Sequence, residues 1–482
     1  MNPLQVLMVA AEADPFAKAG GLGDVIGALP RALETLGVRT TVAIPRYRAV
    51  DLDKFGFESI SGHDVHHALL PDSSVDVFLI DNDNYFDRDG IYVDIDTGKD
   101  YPDQADRWIF FQRAVMDFFR TRPVPNILHC HDHQTALIPA YLRRFYRDSF
   151  PRTRSVFTIH NMGYQGLFPR EAMLRAGFDD AEFYPTSPFE FYGMFNFMKV
   201  GITYSDVITT VSQTYAREIQ SSKEYGYGLE DVLKERSNAL VGIRNGIDTE
   251  LWNPAKDNLI PAVYSVSDLS GKLKAKQALF DKFGLDKSHP EWPVLAMISR
   301  IDIQKGFDLV VSVLDYLLAK DLFFVLLGSG NKETEGYLRT IIERHRGRAG
   351  MRFEFDNGSA HLVEAGADIF LMPSKYEPCG LNQMYSLRYG TVPVVRLTGG
   401  LADTVQEYNP LTGQGTGFCF KDYDPEEFRA AIDRALAVWP DRKAWVKLMR
   451  NGMQHDFSWT ESAKRYVELY ERLLNSEFSG PR

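Results

Sequence analysis

The sequence predicts an α/β protein built from two doubly wound, Rossmann-like domains facing each other across a deep cleft. Three observations predict it. Apolar, β-branched runs alternate with helical periodicity along all 482 residues, the pattern of parallel strands covered on both faces. A turn-rich stretch of low periodicity, residues 245–272, splits that alternation in two. A glycine loop, "KAGGLGDV", follows the first strand-like run, and a second Gly-Gly-Leu-x-Asp, "TGGLADTV", occurs nearly a full chain later.

The strand-like runs of the first half are "LQVLMVA", "VRTTVAI", "VDVFLI", "NILHC", "SVFTIH" and "DVITTVS". Between them lie helical patterns such as "QADRWIFFQRAVMDFFR". In the second half the runs are "VLAMISR", "LFFVLLGSG", "MRFEF", "DIFLMPS" and "TVPVVR". The expected division is a first domain over residues 1–250, a second over 251–458, and a last helical segment over 459–482. Which domain that segment packs on stays open, a return to the first being one option. Doubly wound sheets bind ligands beyond the carboxyl ends of their strands. Two such domains face to face would therefore put the two glycine loops on opposite walls of one cleft.

Composition narrows the function. A net charge of −11 argues against a general nucleic-acid binder, which carries a basic face. A few local Arg and Lys residues still suffice to hold a small anion. Three cysteines, Cys130, Cys379 and Cys419, form no disulfide framework and no paired metal motif, which fits a reducing compartment. The first residues lack a basic leader, and no apolar run reaches the length of a membrane span. The expectation is a cytoplasmic protein without membrane association.

Two segments of the second half carry candidate chemistry. In "SRIDIQKGFDLVV", Arg300 ends a strand and Lys305 opens the next helix beside Gly306. Such a pair can converge on a leaving diphosphate, or it is a solvated surface pair. In "DIFLMPSKYEPCGLNQMY", a polar loop with Glu377 and Cys379 leads into a helix starting at Gly380. N–H groups of Gly380 and Leu381 would then face an anion. Glu377, beside them, suits hydroxyl groups of a sugar, or serves as a helix cap.

The ordered set "KAGGLGDV", "FTIHNMGYQG", "SRIDIQKG", "PSKYEPCGLNQMYSLRYGTVPVVR" and "TGGLADTV" resembles the glycogen and starch synthases of glycosyltransferase family five, essentially end to end. The resemblance implies the two-domain GT-B architecture. It implies retaining transfer of glucose from ADP-glucose to the non-reducing-end 4-hydroxyl of an α-1,4-glucan, with no cofactor and no metal. By motif, Lys18, Gly20 and Gly21 match donor-binding positions, and Asp24 stands near the acceptor. His160 matches a histidine at the glucosyl unit, and Asn245 a donor-side asparagine. Arg300 and Lys305 match the diphosphate pair; Glu377, Cys379, Gly380 and Leu381 match the block that grips the donor. The catalytic set implied is Glu377, His160, Lys305 and Arg300; Tyr92 and Asp132 match acceptor positions.

The chain departs from the family pattern in places. It reads His131-Asp132-His133-Gln134 where the family often has His-Asp-Trp-His. Eight residues after Glu377, where many retaining enzymes of this architecture carry a second Glu, stands Tyr385. His129, His131 and His133 would share one face of an extended strand, as zinc ligands do, but the run turns helical partway. The Asp81/Asp83 and Asp94/Asp96 pairs lie in polar turns of an acidic chain. "LLGSGNKE" lacks the full dinucleotide fingerprint and reads as a tight strand-to-helix turn. Three alternatives stand beside the synthase reading: UDP-glucose or a different acceptor, a glucan-binding protein without catalysis, and a phosphorylase. The last needs a Schiff-base lysine, for which no context is evident. Oligomeric state and acceptor length are not written in the sequence.

Overall fold

The computed structural model describes residues 3–354, 356–475 and 478. It divides into two compact units, one of the chain up to Gly246 plus the chain from Trp459, the other Ile247–Ser458. The expected strand "MRFEF" is observed as Ala349–Arg352; its last residue, Phe355, lies outside the described residues, as do residues 476, 477 and 479–482 of the final segment.

The first unit holds a nine-stranded sheet among its described residues. Its order is Leu240–Gly242, Val207–Thr210, Arg154–Ile159, Ile127–His131, Gln5–Val9, Arg39–Pro45, Asp76–Ile80, Val65–Leu69, Glu58–Ser59. The strands as far as Asp76–Ile80 pair in parallel, and the last two add an antiparallel edge. The central strands are apolar at successive positions because helices cover both faces. The chain starts in the middle, moves outward through Arg39–Pro45, then returns to place Ile127–His131 on the other side of Gln5–Val9. That reversal is a topological switch point, and it leaves a crevice beyond the carboxyl ends of these two strands.

The helix Gly21–Thr35 buries Leu22, Val25, Ile26, Leu29 and Leu33, one stripe at helical spacing. The helix Trp459–Leu474 packs against it, burying Trp459, Ala463, Tyr466, Tyr470 and Leu473. Fully burying a large apolar side chain contributes about 1.5–3 kcal/mol, so the larger of these residues suffice to hold the last helix to the first unit.

The second unit holds a six-stranded parallel sheet ordered Ala349–Arg352, Phe323–Leu327, Val294–Ile298, Ile369–Met372, Val392–Arg396, Phe418–Phe420. Its switch point lies between Val294–Ile298 and Ile369–Met372. Among the described residues no helix is long and apolar enough to cross a membrane.

Candidate active site

Each unit gathers most of the residues singled out from sequence around its own switch point; Asn245 instead follows the edge strand Leu240–Gly242. In the first unit the centre is Glu12, a residue that sequence reasoning missed. It follows the strand Gln5–Val9 and is buried. One of its carboxylate oxygens accepts the N–H groups of Ala19 at 2.5 Å and Gly20 at 3.0 Å; the other accepts the Tyr92 hydroxyl at 2.6 Å. The acid thus fixes the backbone of the glycine loop and seats Tyr92. An acid placed directly after the first apolar run and ahead of glycines was the available signal.

The glycines of this loop differ in purpose. A Cβ on Gly23 would lie 2.9 Å from Lys18 Cγ, and one on Gly27 2.6 Å from the Asp14 carbonyl. Around Gly21 nothing lies within 4 Å, and Gly20 is nearly as open. Gly23 and Gly27 therefore serve packing, whereas Gly20 and Gly21 keep space clear. Lys18 Nζ bonds Asp24 at 2.5 Å, both side chains partly exposed. Burial raises the Asp24 pKa, with Lys18 opposing and the acids Asp14 and Glu12 adding to it.

Asp132 follows Ile127–His131, across the switch point from Glu12. Its φ of 58° is a left-handed conformation that costs a non-glycine residue free energy. In return its carboxylate accepts the His160 N–H at 2.8 Å. Desolvation pushes its pKa up to about 7, against the N–H groups of His160 and Asn161, with Glu12 adding to the rise. His160 Nε2 lies 3.0 Å from His131 Nδ1. Burial takes His160 down to about 3, so its ring is neutral at ordinary pH. His129 bonds Tyr470 at 2.7 Å and Thr158 at 2.6 Å, and its rings and those of His131 lie 4.2 Å apart. The imidazoles are thus tied to one another, to the final helix and to a strand. No group of His, Cys, Asp or Glu suited to a metal ion occurs among the described residues. Asn245, also in the first unit, is buried with no hydrogen-bond partner for its Oδ1.

In the second unit Lys305 and Glu377 form an ion pair at 2.6 Å, with Ser374 Oγ donating to the same Glu377 oxygen at 3.0 Å. Lys305 ends a short 3-10 turn, Ile303–Lys305, instead of opening a helix; the helix Phe307–Leu318 follows. Asp302 caps that turn by accepting Lys305 N–H at 3.0 Å. Gly306 then adopts φ 77°, and a Cβ there would fall 2.1 Å from the Pro373 carbonyl. The lysine turn and the Glu377 loop are therefore in backbone contact. Arg300 is not drawn into the pair: its side chain is 63% exposed, with Nη2 3.5 Å from Asp302 and Gln304.

The loop after Ile369–Met372 is longer than expected. The helix starts at Asn382, with Leu381 as its cap, because Gly380 is left-handed at φ 70°. Asn382 Nδ2 donates 2.8 Å to Ile298 O, tying this helix to the strand ahead of Arg300. Cys379 is buried. The "TGGLAD" glycines press on this loop: a Cβ on Gly399 would sit 2.0 Å from Glu377 O, and one on Gly400 2.0 Å from Cys379 O. Gly400 N–H donates to Glu377 O at 3.1 Å. This glycine pair is a buttress for the Glu377 loop, in the same unit.

Tyr385 has a packing role. It stacks on Trp252 with ring centroids 3.9 Å apart, and His361 stacks on the other Trp252 face at the same 3.9 Å. His361 in turn bonds Asp257 at 2.8 Å, and Tyr389 donates to that carboxylate at 2.6 Å. Residues 252–257 are thereby built into the second unit.

A family model described as the starch synthase catalytic domain matches residues 5–235, and one described as glycosyl transferases group 1 matches residues 282–451. A glycogen synthase of Koribacter versatilis is 45% identical, the alignment covering 97% of this chain and 98% of that protein. A glycogen synthase of Thermotoga maritima is also 45% identical, covering 98% and 99%. Among solved structures, the catalytic domain of starch synthase IV from Arabidopsis thaliana, bound to ADP and acarbose, superposes with a TM-score of 0.88 at 31% identity, over 98% of this chain and 100% of that one.

Proposed function

The chain belongs to the glycogen and starch synthase family of glycosyltransferases, with the two-domain GT-B fold of that family, and on that premise we propose how its residues divide the work. The reaction is retaining transfer of glucose from ADP-glucose to the non-reducing-end 4-hydroxyl of an α-1,4-glucan. The observation that carries the reading is the Lys305–Glu377 pair, held by three glycines in close backbone contact, Gly306, Gly399 and Gly400.

Cleaving the bond to the diphosphate builds negative charge on the leaving group and positive charge on the sugar. Preorganised charge aimed at those positions lowers the barrier. Lys305 supplies a cation whose rotamer is fixed by Glu377 and Ser374. Arg300, exposed and loosely engaged, is free to swing onto phosphate oxygens. Both hydrogen bonds to the Glu377 carboxylate fall on Oε2, which leaves Oε1 for a hydroxyl of the donor glucose. Cys379, Gly380 and Leu381 line the same loop. In the first unit His160 is neutral and acts as a hydrogen-bonding group at the transferred glucose. Lys18 contributes charge to the donor once Asp24 releases it. Gly20 and Gly21 leave room for sugar, Asn245 Oδ1 accepts from a donor hydroxyl, and Asp24, Tyr92 and Asp132 serve the acceptor. The position eight residues after Glu377 holds Tyr385 and not a second Glu, and that ring is engaged in its stack on Trp252. That favours reaction on one face, with the leaving diphosphate taking the acceptor proton, over double displacement. All three cysteines are buried and none is in a disulfide, which favours a cytoplasmic setting.

Radiolabel transfer from ADP-glucose and from UDP-glucose onto glycogen, each with and without chelator, tests this. The expected result is ADP-glucose-dependent incorporation unaffected by chelator. Preference for UDP-glucose overturns the donor assignment, and glucan binding without turnover overturns catalysis.

A further inference from the structure

Arg107, on the helix Gln104–Phe119, is fully buried, and no carboxylate bonds it. Its Nη1 donates to Ile91 O at 3.2 Å and to Gln104 Oε1 at 3.0 Å. Nε and Nη2 are buried without a hydrogen-bond partner. The cation lies instead over three rings, at 4.7 Å from Trp108, 4.9 Å from Tyr101 and 5.5 Å from Phe86. Aromatic faces attract a desolvated guanidinium, yet a long apolar side chain would fill the same space without a desolvation penalty. What the guanidinium adds is a directed bond to one carbonyl.

That carbonyl has a partner. Gln104, three residues earlier on the same helix, donates its Nε2 to Tyr92 O. One helical turn thus grips the consecutive carbonyls of Ile91 and Tyr92. Arg107 Nη1 also bonds Gln104, which fixes the spacing of the two grips. The exposed segment around them has a further tie, Tyr101 hydroxyl to Asp89 O at 2.5 Å. From Tyr92 the connection continues through its hydroxyl to Glu12, and from Glu12 to the N–H groups of Ala19 and Gly20 beside Lys18.

We propose that Arg107 is a positioning residue for glucosyl transfer: with Gln104 it sets the position of Tyr92 over Glu12, and through Glu12 the shape of the glycine loop. Arg107 touches no substrate. The inference rests on the transfer reaction proposed above and assigns to it a residue outside the site.

A double-mutant cycle with Arg107→Met and Tyr92→Phe tests it. The readouts are kcat/KM for a maltooligosaccharide at saturating ADP-glucose, and Tm for every variant. If Arg107 acts through Tyr92, each single variant loses about tenfold in kcat/KM, and the double variant stays within about twofold of Tyr92→Phe alone. Arg107→Lys, which keeps a cation and a donor, recovers part of the loss, while Tm falls by the same amount in both Tyr92 backgrounds. Losses that multiply in the double variant, or a folded Arg107→Met with wild-type kcat/KM, overturn the proposal. If Arg107→Met does not fold, Gln104→Ala takes its place in the same cycle under the same criteria. Failure of the wild type to transfer glucose from any nucleotide sugar defeats the transfer reading itself and, with it, the role assigned to Arg107. An additive cycle in an active wild type defeats only the positioning role.

Discussion

Lys305 Nζ lies 2.6 Å from Glu377 Oε2, with 21% of the lysine side chain and 7% of the glutamate exposed. Neither charge is well hydrated, so each depends on the other. Removing one partner of such a pair leaves an uncompensated charge. Lys305→Ala is expected to destabilise the protein by about 2–3 kcal/mol, lower than for a fully buried pair because some solvent reaches the lysine. Thermal denaturation measures it. Glu377→Gln keeps the shape and the hydroxyl-accepting oxygen but loses the charge. Its kcat should fall by about a hundredfold or more, and near-normal turnover would exclude an essential role for that charge.

The glycines separate fold from function by simple substitution. Gly400→Ala and Gly306→Ala each drive a Cβ to about 2 Å from a carbonyl oxygen. Both should cost about 1–3 kcal/mol through forced backbone shifts and lower donor affinity by displacing the Glu377 loop or the Lys305 turn. Gly21→Ala meets nothing within 4 Å. Its Tm should stay within a degree or so of wild type, about what a surface change gives, while kcat/KM drops because the methyl group occupies ligand space. An unchanged kcat/KM in Gly21→Ala would show that the space is not used.

The buried imidazoles make stability pH-dependent. Burial holds His129 near 3 in the folded state, His160 adding to the effect, whereas an unfolded chain titrates it near 6.5. Between these values the unfolded state takes up a proton that the folded state refuses, so stability is complete above about 6.5 and declines as pH falls. Asp132 and Glu364, raised to about 7 and about 8 by burial, act in the opposite direction over part of this range. The clean measurement is a difference. His129→Gln should be less stable than wild type at pH 7, having lost its bonds to Tyr470 and Thr158. By pH 5 the gap should narrow by about 2 kcal/mol, the linkage for one proton over 1.5 pH units. Parallel stability curves would show that His129 is protonated in the folded protein.

Trp252 sits between His361 and Tyr385 with both ring centroids at 3.9 Å. Trp252→Ala removes both stacks and opens a cavity, which should cost about 3–5 kcal/mol. Because Tyr385 is three residues into the helix that begins at Asn382, the loss should also weaken ADP binding. Calorimetric titration with ADP at a temperature where the variant is folded checks this, and wild-type affinity would uncouple the stack from the donor loop.

The sheets were legible where strands are buried on both faces, since runs such as "LFFVLLG" have no polar alternation to blur them. The antiparallel edge Glu58–Ser59 and Val65–Leu69 escaped because it is short, polar and partly exposed. Phe418–Phe420, three residues long, gives no periodicity to read. At the site, features written locally were legible: glycine loops, the Glu377 block, the lysine turn. Pairings over long sequence separations were not. Lys305 and Glu377 are 72 residues apart, and Glu12 and Tyr92 are 80 apart. Glu12 was overlooked because a lone acid after a strand has no pattern; only the N–H groups and hydroxyl it gathers in space give it meaning. The sequence pattern starts the helix at Gly380, and the positive φ of that glycine explains why the helix waits until Asn382.

The hydrogen bond between His129 and Tyr470 spans 341 residues, and the whole second unit lies between its ends. On a ribosome the chain emerges at about 5–20 residues per second. The second unit is one uninterrupted segment, so it has all its strands well before the helix Trp459–Leu474 appears. The first unit must hold the face of Gly21–Thr35 that the last helix covers open throughout that time. Its apolar surface is therefore a natural place for a chaperone during synthesis, and truncation before Trp459 leaves that face uncovered for good.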